Sequence, residues 1–280
     1  MEQNSYLQLV KPTASGTPGD KNSQSSCPPC GPADAEKTIN AARSGFEASF
    51  AEKDFYNRQT RDEQHLSAIL DFIPVRTGMK ILDLGTGSGY LAFALAKRYP
   101  DVSVTGLDIV SRTLEENRKK AENETLTNIR FVSCNGIDFP FADSEFDIVV
   151  SRYALHHFPE IGKSISEVAR VLKRPGCFFI SDPAPNGNDT DGFIDEYMRV
   201  KKDGHIRFYY LDEWKRLCEN NRLRFERSFV SKIRFPRKYK ETYRSIIAGY
   251  DRSVTDGYEL KIENDEIYVT VQVNNILFRV

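Results

Sequence analysis

The chain has 280 residues, 40% of them hydrophobic, and 39 Lys/Arg stand against 40 Asp/Glu. That is the composition of a globular protein with room for one large domain and appendages. No run approaches the roughly 18 apolar residues of a membrane-spanning helix, and the opening MEQNSYLQLV lacks the apolar stretch of a secretory signal.

Residues 1–34 read as a tail: KPTASGTPGDKNSQSSCPPCGPAD (11–34) is rich in Pro, Gly and Ser and has almost nothing to bury. Cys27-Pro-Pro-Cys30 has no second ligand pair to complete a zinc site and no strand–helix context for a redox pair, so no metal is expected. The other cysteines, Cys134, Cys177 and Cys218, fall in or beside predicted strands and helices. They read as buried thiols in a reducing, cytoplasmic setting.

Residues 35–74 carry a helical pattern, with Phe46, Phe50, Phe55 and Tyr56, then Leu66, Ile69, Leu70 and Phe72 on one face, and read as an N-terminal helical cap. From 75 to 182 strands and helices alternate. The strands are 79–84, 103–108, 128–134, 147–151 and 177–182; the helices are 90–98, 111–124 and 160–172. Strands separated by helices of this length predict an α/β fold, a Rossmann-like doubly wound sheet with mostly parallel strands. After Pro183 the rhythm changes: helices over 192–205, 211–221 and 236–250, a long strand over 223–235, and terminal hairpins turning at Asn264-Asp265 and Asn274-Asn275. Residues 183–280 are expected to add antiparallel strands to the sheet and to cover an acceptor site.

The chemistry concentrates in ILDLGTGSGY (81–90). Gly85, Gly87 and Gly89 follow a buried strand and open a helix, so the backbone there can approach a ligand closely. The spacing is not the Gly-x-Gly-x-x-Gly of dinucleotide sites, and Asp83 stands where a pyrophosphate would be repelled. A carboxylate at that place welcomes an ammonium group. A second acid, Asp108, ends the next strand, where it can accept both hydroxyls of a ribose. An ammonium at one end and a ribose further along describe S-adenosyl-L-methionine.

With these residues in view, the sequence resembles the class I S-adenosylmethionine-dependent methyltransferases, close to the ubiquinone and menaquinone biosynthesis branch. LDLGTGSG (82–89), GLDIV (106–110), VSCNGIDFPFADSEFDIVVSRYALHHF (132–158) and RVLKRPGCFFISDP (170–183) match four of that family's motifs in order. The resemblance implies a seven-stranded sheet, and a cofactor held by Asp83, Gly85, Thr86, Gly87, Gly89, Asp108, Ile109, Asn135, Gly136, Ile137 and Ser151. Asn135 is a departure, since the family has an acid there to receive the adenine amino group; an amide oxygen can accept the same bond without charge assistance, or Asp138 can substitute.

The resemblance also implies in-line displacement, in which the protein aligns the reactants and excludes water. Arg152, Tyr153, His156 and His157, just past the fourth strand, are the candidates nearest the methyl: either histidine as a base or as a turn former, Tyr153 as an acceptor wall. Tyr56, Arg152 and His205 are candidate substrate contacts. The acceptor is read as a small molecule. Residues 199–244 hold fifteen Lys/Arg against six Asp/Glu, which keeps methylation of RNA or protein as an alternative, although alternating charge along a strand more often marks solvated surface. A non-catalytic cofactor binder is a third reading.

Overall fold

A computed structural model describes residues 40, 43–45 and 62–280. Of the cap expected before residue 62, residues 40 and 43–45 are described and are helical, while Tyr56 and the Cys27–Cys30 pair lie outside the described residues. Helix α1 (Glu63–Phe72) is started by the Asp62 side chain, which accepts from the His65 amide at 2.9 Å.

The core alternates as the sequence predicts: β1 (Lys80–Leu84), α2 (Tyr90–Arg98), β2 (Ser103–Asp108), α3 (Ser111–Asn123), β3 (Ile129–Ser133), β4 (Phe146–Arg152), α4 (Ile161–Val171) and β5 (Leu172–Ala184). Then come α5 (Phe193–Arg199), α6 (Leu211–Glu219), β6 (Arg224–Lys238), α7 (Glu241–Gly249), α8 (Arg252–Thr255), β7 (Lys261–Glu263) and β8 (Glu266–Arg279). The sheet order is β3-β2-β1-β4-β5-β8-β6, with β7 against β8. Strands β1 to β5 pair in parallel and β8 is antiparallel to both β5 and β6. The order reverses between β1 and β4, so a crevice opens beyond the carboxyl ends of these strands.

Both faces of the parallel sheet are covered, which explains the unbroken apolar runs in its strands. Leu82, Leu84 and Val149 face a core with α4 and Trp214, while Ile81, Ile148 and Val150 face a second core with α1 and α2. Strands β6 and β8 run past the end of β5. Their overhang carries a third core, in which Ile233, Phe235, Ile267 and Val269 meet Phe193, Tyr197 and Tyr258.

Two sequence expectations need correction. Asn274-Asn275 is no turn: both residues lie inside β8, paired with Asp182 and Ser181 of β5, and Asn275 is fully buried. A strand interior tolerates this asparagine because its side chain finds buried partners. The helix expected from Pro236 starts only at Glu241, since β6 continues through Pro236 to Lys238. β6 is the sheet's edge, where a missing N–H costs little. The Asn264-Asp265 turn is present, both residues having positive φ between β7 and β8.

Candidate functional site

The crevice is a cleft of about 1030 Å³, part of it open to solvent, at the tips of β1, β2 and β4. Its floor is the glycine turn. Gly85, Gly87 and Gly89 have φ of 71°, 50° and 75°, the left-handed region that side chains resist. At Gly85 a Cβ would also overlap the Ala154 methyl, so the turn and the segment after β4 are packed backbone to side chain with no room to spare.

Two carboxylates shape this turn. Asp83 is buried and accepts from the Thr86 hydroxyl at 2.7 Å. Burial pushes its pKa up to about 7; the Thr86 bond opposes that shift and nearby Asp108 adds to it. Asp108 accepts from the Gly87 amide at 2.8 Å and the Val110 amide at 3.0 Å, one on each oxygen. Burial raises its pKa also, against these backbone bonds. The Ile109 amide also stabilises this carboxylate, whose four lone pairs are therefore not all taken. The sequence analysis missed Asn117: from α3 its buried amide donates to the Gly87 carbonyl at 2.8 Å, clamping the turn from the other side. A lone asparagine in a polar helix gives no signal of such a role.

The structure brings Asp83, Gly85, Thr86, Gly87, Asp108, Ile109, Asn135, Gly136, Arg152, Tyr153 and His157 to the cleft wall. Gly89 stands just behind it as the N-cap of α2. Ser151 and Ile137 do not line the wall. The Ser151 hydroxyl is buried and donates to the Leu84 carbonyl at 2.8 Å, tying β4 to β1. Ile137 contributes only its amide, to the Asn135 side chain at 2.9 Å. The Asn135 oxygen also accepts from the Asp138 amide at 3.1 Å. Both its lone pairs are therefore used, and the expectation that this oxygen receives an adenine amino group does not fit. Asp138 does not replace it, because its side chain is exposed and outside the cleft wall.

The far end of the cleft is aromatic and basic. The Arg152 guanidinium lies 4.0 Å from the Tyr153 ring centre and 4.9 Å from that of Tyr90. Tyr153 has φ of 56°, unusual for a bulky residue and a mark of local strain. Its amide donates to the Ser181 carbonyl at 2.9 Å and its hydroxyl lies 3.2 Å from His65 Nδ1. His65 Nε2 in turn lies 2.9 Å from the Asn275 oxygen, and the Asn275 amide donates to Ser231 at 3.0 Å and to the Val273 carbonyl at 3.2 Å. That carbonyl fixes the amide orientation, so Nε2 of His65 carries the proton and Nδ1 accepts from Tyr153. Burial lowers the His65 pKa to about 4, with the Arg152 charge assisting, and raises that of Tyr153 to about 12. The proton stays on the tyrosine.

Leu155–His157 form one 3₁₀ turn. His157 faces the cleft, whereas His156 points behind the wall, its Nδ1 2.9 Å from a buried Asp182 oxygen. His205 does not line the cleft: its Nε2 is 2.8 Å from Asp195 and its ring packs 5.4 Å from that of His156. Burial lowers the pKa of both His156, to about 3, and His157, so both are neutral at neutral pH.

Most basic residues of 199–244 are at least partly exposed and are spread along α5 to α7 and their connections, Arg237 being buried. Arg207 pairs with Glu213, Lys232 with Glu259 and Lys215 with Asp212. Among the described residues no helix is long and apolar enough to cross a membrane, and no group of His, Cys, Asp and Glu is arranged to hold a metal ion.

Comparison with known proteins places these features in a family. Residues 76–242 match the model of a methyltransferase domain. The uncharacterized methyltransferase YcgJ of Bacillus subtilis is 31% identical over 164 residues, covering 58% of this chain and 64% of that protein. The ubiquinone/menaquinone biosynthesis C-methyltransferase UbiE of Desulfotalea psychrophila is 33% identical over 121 residues, 43% of this chain and 48% of that protein. The chain thus spans between about half and just under two thirds of the length of these relatives. The crystal structure of YcgJ superposes with a TM-score of 0.68 at 26% identity, over 78% of this chain and 98% of that one. A phosphoethanolamine N-methyltransferase of Haemonchus contortus, in complex with S-adenosylhomocysteine, shares the fold at a TM-score of 0.53 and 18% identity, over 76% of this chain and 52% of that one. The domain match runs through the strands that build the cleft and covers more than half of the chain, which therefore belongs to the class I methyltransferase family.

Proposed function

We propose that the chain transfers a methyl group from S-adenosyl-L-methionine to a small-molecule acceptor in the cytoplasm. The observation that carries the reading is the pair of carboxylates, buried Asp83 and half-buried Asp108, at the tips of two adjacent parallel strands around one glycine turn. The donor set fits this cofactor. Asp83 suits the ammonium, and the lone-pair capacity left on the half-exposed Asp108 suits the ribose hydroxyls. Ile109 offers an apolar wall to the base. The same carboxylates oppose a pyrophosphate.

The cofactor supplies, when bound, a methyl group on a sulfonium that departs without protonation. The chain's own task is to align the acceptor and keep water out. Arg152, Tyr153, Tyr90 and His157 frame the space beyond the glycine turn. With His157 held neutral by burial and the Tyr153 proton retained, neither residue is a strong base. This wall suits acceptors that need little help in losing a proton, such as an ionised enol or phenol. Relatives named for quinone biosynthesis support the same class.

Calorimetry with S-adenosylhomocysteine tests the reading, with Asp108→Asn as the variant because it keeps one oxygen for the turn. The parent is expected to bind one equivalent and the variant to lose about tenfold in affinity, the scale of a lost charge-assisted hydrogen bond. Labelled methyl transfer to a small-molecule extract fraction is the companion assay. Binding of a nicotinamide dinucleotide with no binding of S-adenosylhomocysteine would sink the proposal.

A further inference from the structure

The loop after β3 has used up its own hydrogen-bonding groups. The Gly136 amide donates to Cys134 Sγ at 3.4 Å, and the Cys134 thiol donates to the Asp138 carbonyl at 3.1 Å. The amides of Ile137 and Asp138 both donate to the Asn135 side-chain oxygen. Exchanging oxygen and nitrogen in that side chain would aim an NH₂ group at two N–H donors, so the orientation is fixed by its neighbours. Three amides of the loop are thus unavailable to a ligand. Asn135 Nδ2, by contrast, has no protein acceptor, and Asn135 forms part of the cleft wall. Its side chain offers the cleft two donors and no free acceptor.

We infer that Asn135 makes the base pocket a hydrogen-bond donor site: it reads N7 of the purine and does not read the 6-amino group. The inference rests on the proposed cofactor. An acceptor at this place would require a 6-amino donor, and a purine with oxygen at position 6 would then face it with lone pair against lone pair. A donor at N7 meets no such conflict: N7 is an acceptor in adenine and hypoxanthine alike, and hypoxanthine adds its 6-oxygen on the same edge, whereas N1 turns from acceptor to donor. This chain is therefore expected to accept the 6-oxo analogue of its cofactor, where a carboxylate at position 135 would reject it.

The probes are S-adenosyl-L-homocysteine and S-inosyl-L-homocysteine, which share N7 and differ at position 6 and in the proton that the inosyl base carries on N1, titrated calorimetrically into the full chain. The parent is expected to bind the two within about threefold of each other. Asn135→Asp keeps one oxygen for the two loop amides and turns the other towards the cleft. It is expected to prefer the amino form by about tenfold or more, as a hydrogen bond to a charged acceptor allows. A parent that favours the amino form by tenfold or more overturns the inference, and the parent measurement alone suffices if the variant does not fold. If neither compound binds, the proposed cofactor is wrong and the inference falls with it. Binding of the amino form alone refutes only the inference.

Discussion

The two ends of the cleft are built by different means. The glycine-turn end is made of consecutive backbone from residues 83–90, clamped by Asp108 and Asn117, and its shape comes from φ angles and amide directions. The far end is walled by Tyr153, which is held from behind by side chains from remote parts of the chain: His65 from α1, Ser231 from β6 and Asn275 from β8. Backbone shape tolerates almost no substitution, and a side-chain mosaic can be exchanged piece by piece. The same sheet can thus hold one cofactor rigidly while its acceptor end varies.

The largest effect is expected at the turn. Gly85→Val places a β-branched residue at a φ of 71°, with its Cβ driven into Ala154. Left-handed backbone costs a non-glycine residue about 1–2 kcal/mol, and overpacking adds about 1–3 kcal/mol. Binding of S-adenosylhomocysteine is expected to disappear and the urea midpoint to fall. A variant that still bound the ligand as the parent does would mean that the turn is not rigid, and the contrast between the two ends would fail.

At the other end, His65→Ala leaves the buried Asn275 oxygen and the half-buried Tyr153 hydroxyl without their imidazole partner. The expected loss is about 2–3 kcal/mol of folding stability, the scale of stranded buried polar groups. Cofactor affinity should stay within about threefold of the parent, because no cofactor-holding residue depends on His65. A variant that kept its stability but lost cofactor binding would reverse the assignment of the two ends.

These two predictions also divide what was legible in the sequence from what was not. The glycine turn, Asp83 and Asp108 are contiguous or one strand apart, so spacing alone exposes them. The parallel core is legible for the same reason, since each βαβ unit is local. The support behind Tyr153 is not: nothing in the pattern around His65 points to residue 275, some 210 positions away. An Asn-Asn pair ordinarily marks a turn, and only the partners across the sheet show why it sits inside β8. His205 was drawn to the acceptor site by its place in a covering segment. Its bond to Asp195 in α5, set by the tertiary fold, turns it away.

The pH dependence of binding is a smaller effect and concerns Asp83. Its pKa stands near 7 in the folded chain, raised chiefly by burial. In the ligand-free protein a raised carboxylate pKa contributes stability that is fully present below about 4 and is lost as pH rises through about 7. Binding runs the other way, because an ammonium ligand favours the ionised form. Between pH 6 and pH 8 the affinity for S-adenosylhomocysteine is expected to rise about tenfold, with proton release below pH 7. The des-amino analogue should show no such rise. A flat profile for S-adenosylhomocysteine would mean that Asp83 only braces Thr86 and does not meet the ammonium.

The smallest effect is expected on the outer surface of β6. Lys232 is paired with Glu259 at 2.6 Å, and the side chains are 43% and 56% exposed. Exposed pairs contribute about 0–1 kcal/mol, so Lys232→Ala should shift stability by less than about 0.5 kcal/mol. Its consequence for function is sharper than its energy. If the basic 199–244 segment bound RNA, removing Lys232 together with Arg234, which stacks on Tyr268, would lower retention of a labelled single-stranded RNA and flatten its salt dependence by about two ion equivalents. For a small-molecule enzyme the double variant keeps both cofactor affinity and methyl transfer, and the parent shows no RNA retention at low salt. Steep, salt-sensitive retention by the parent would instead shift the acceptor end from the cleft wall to this strand.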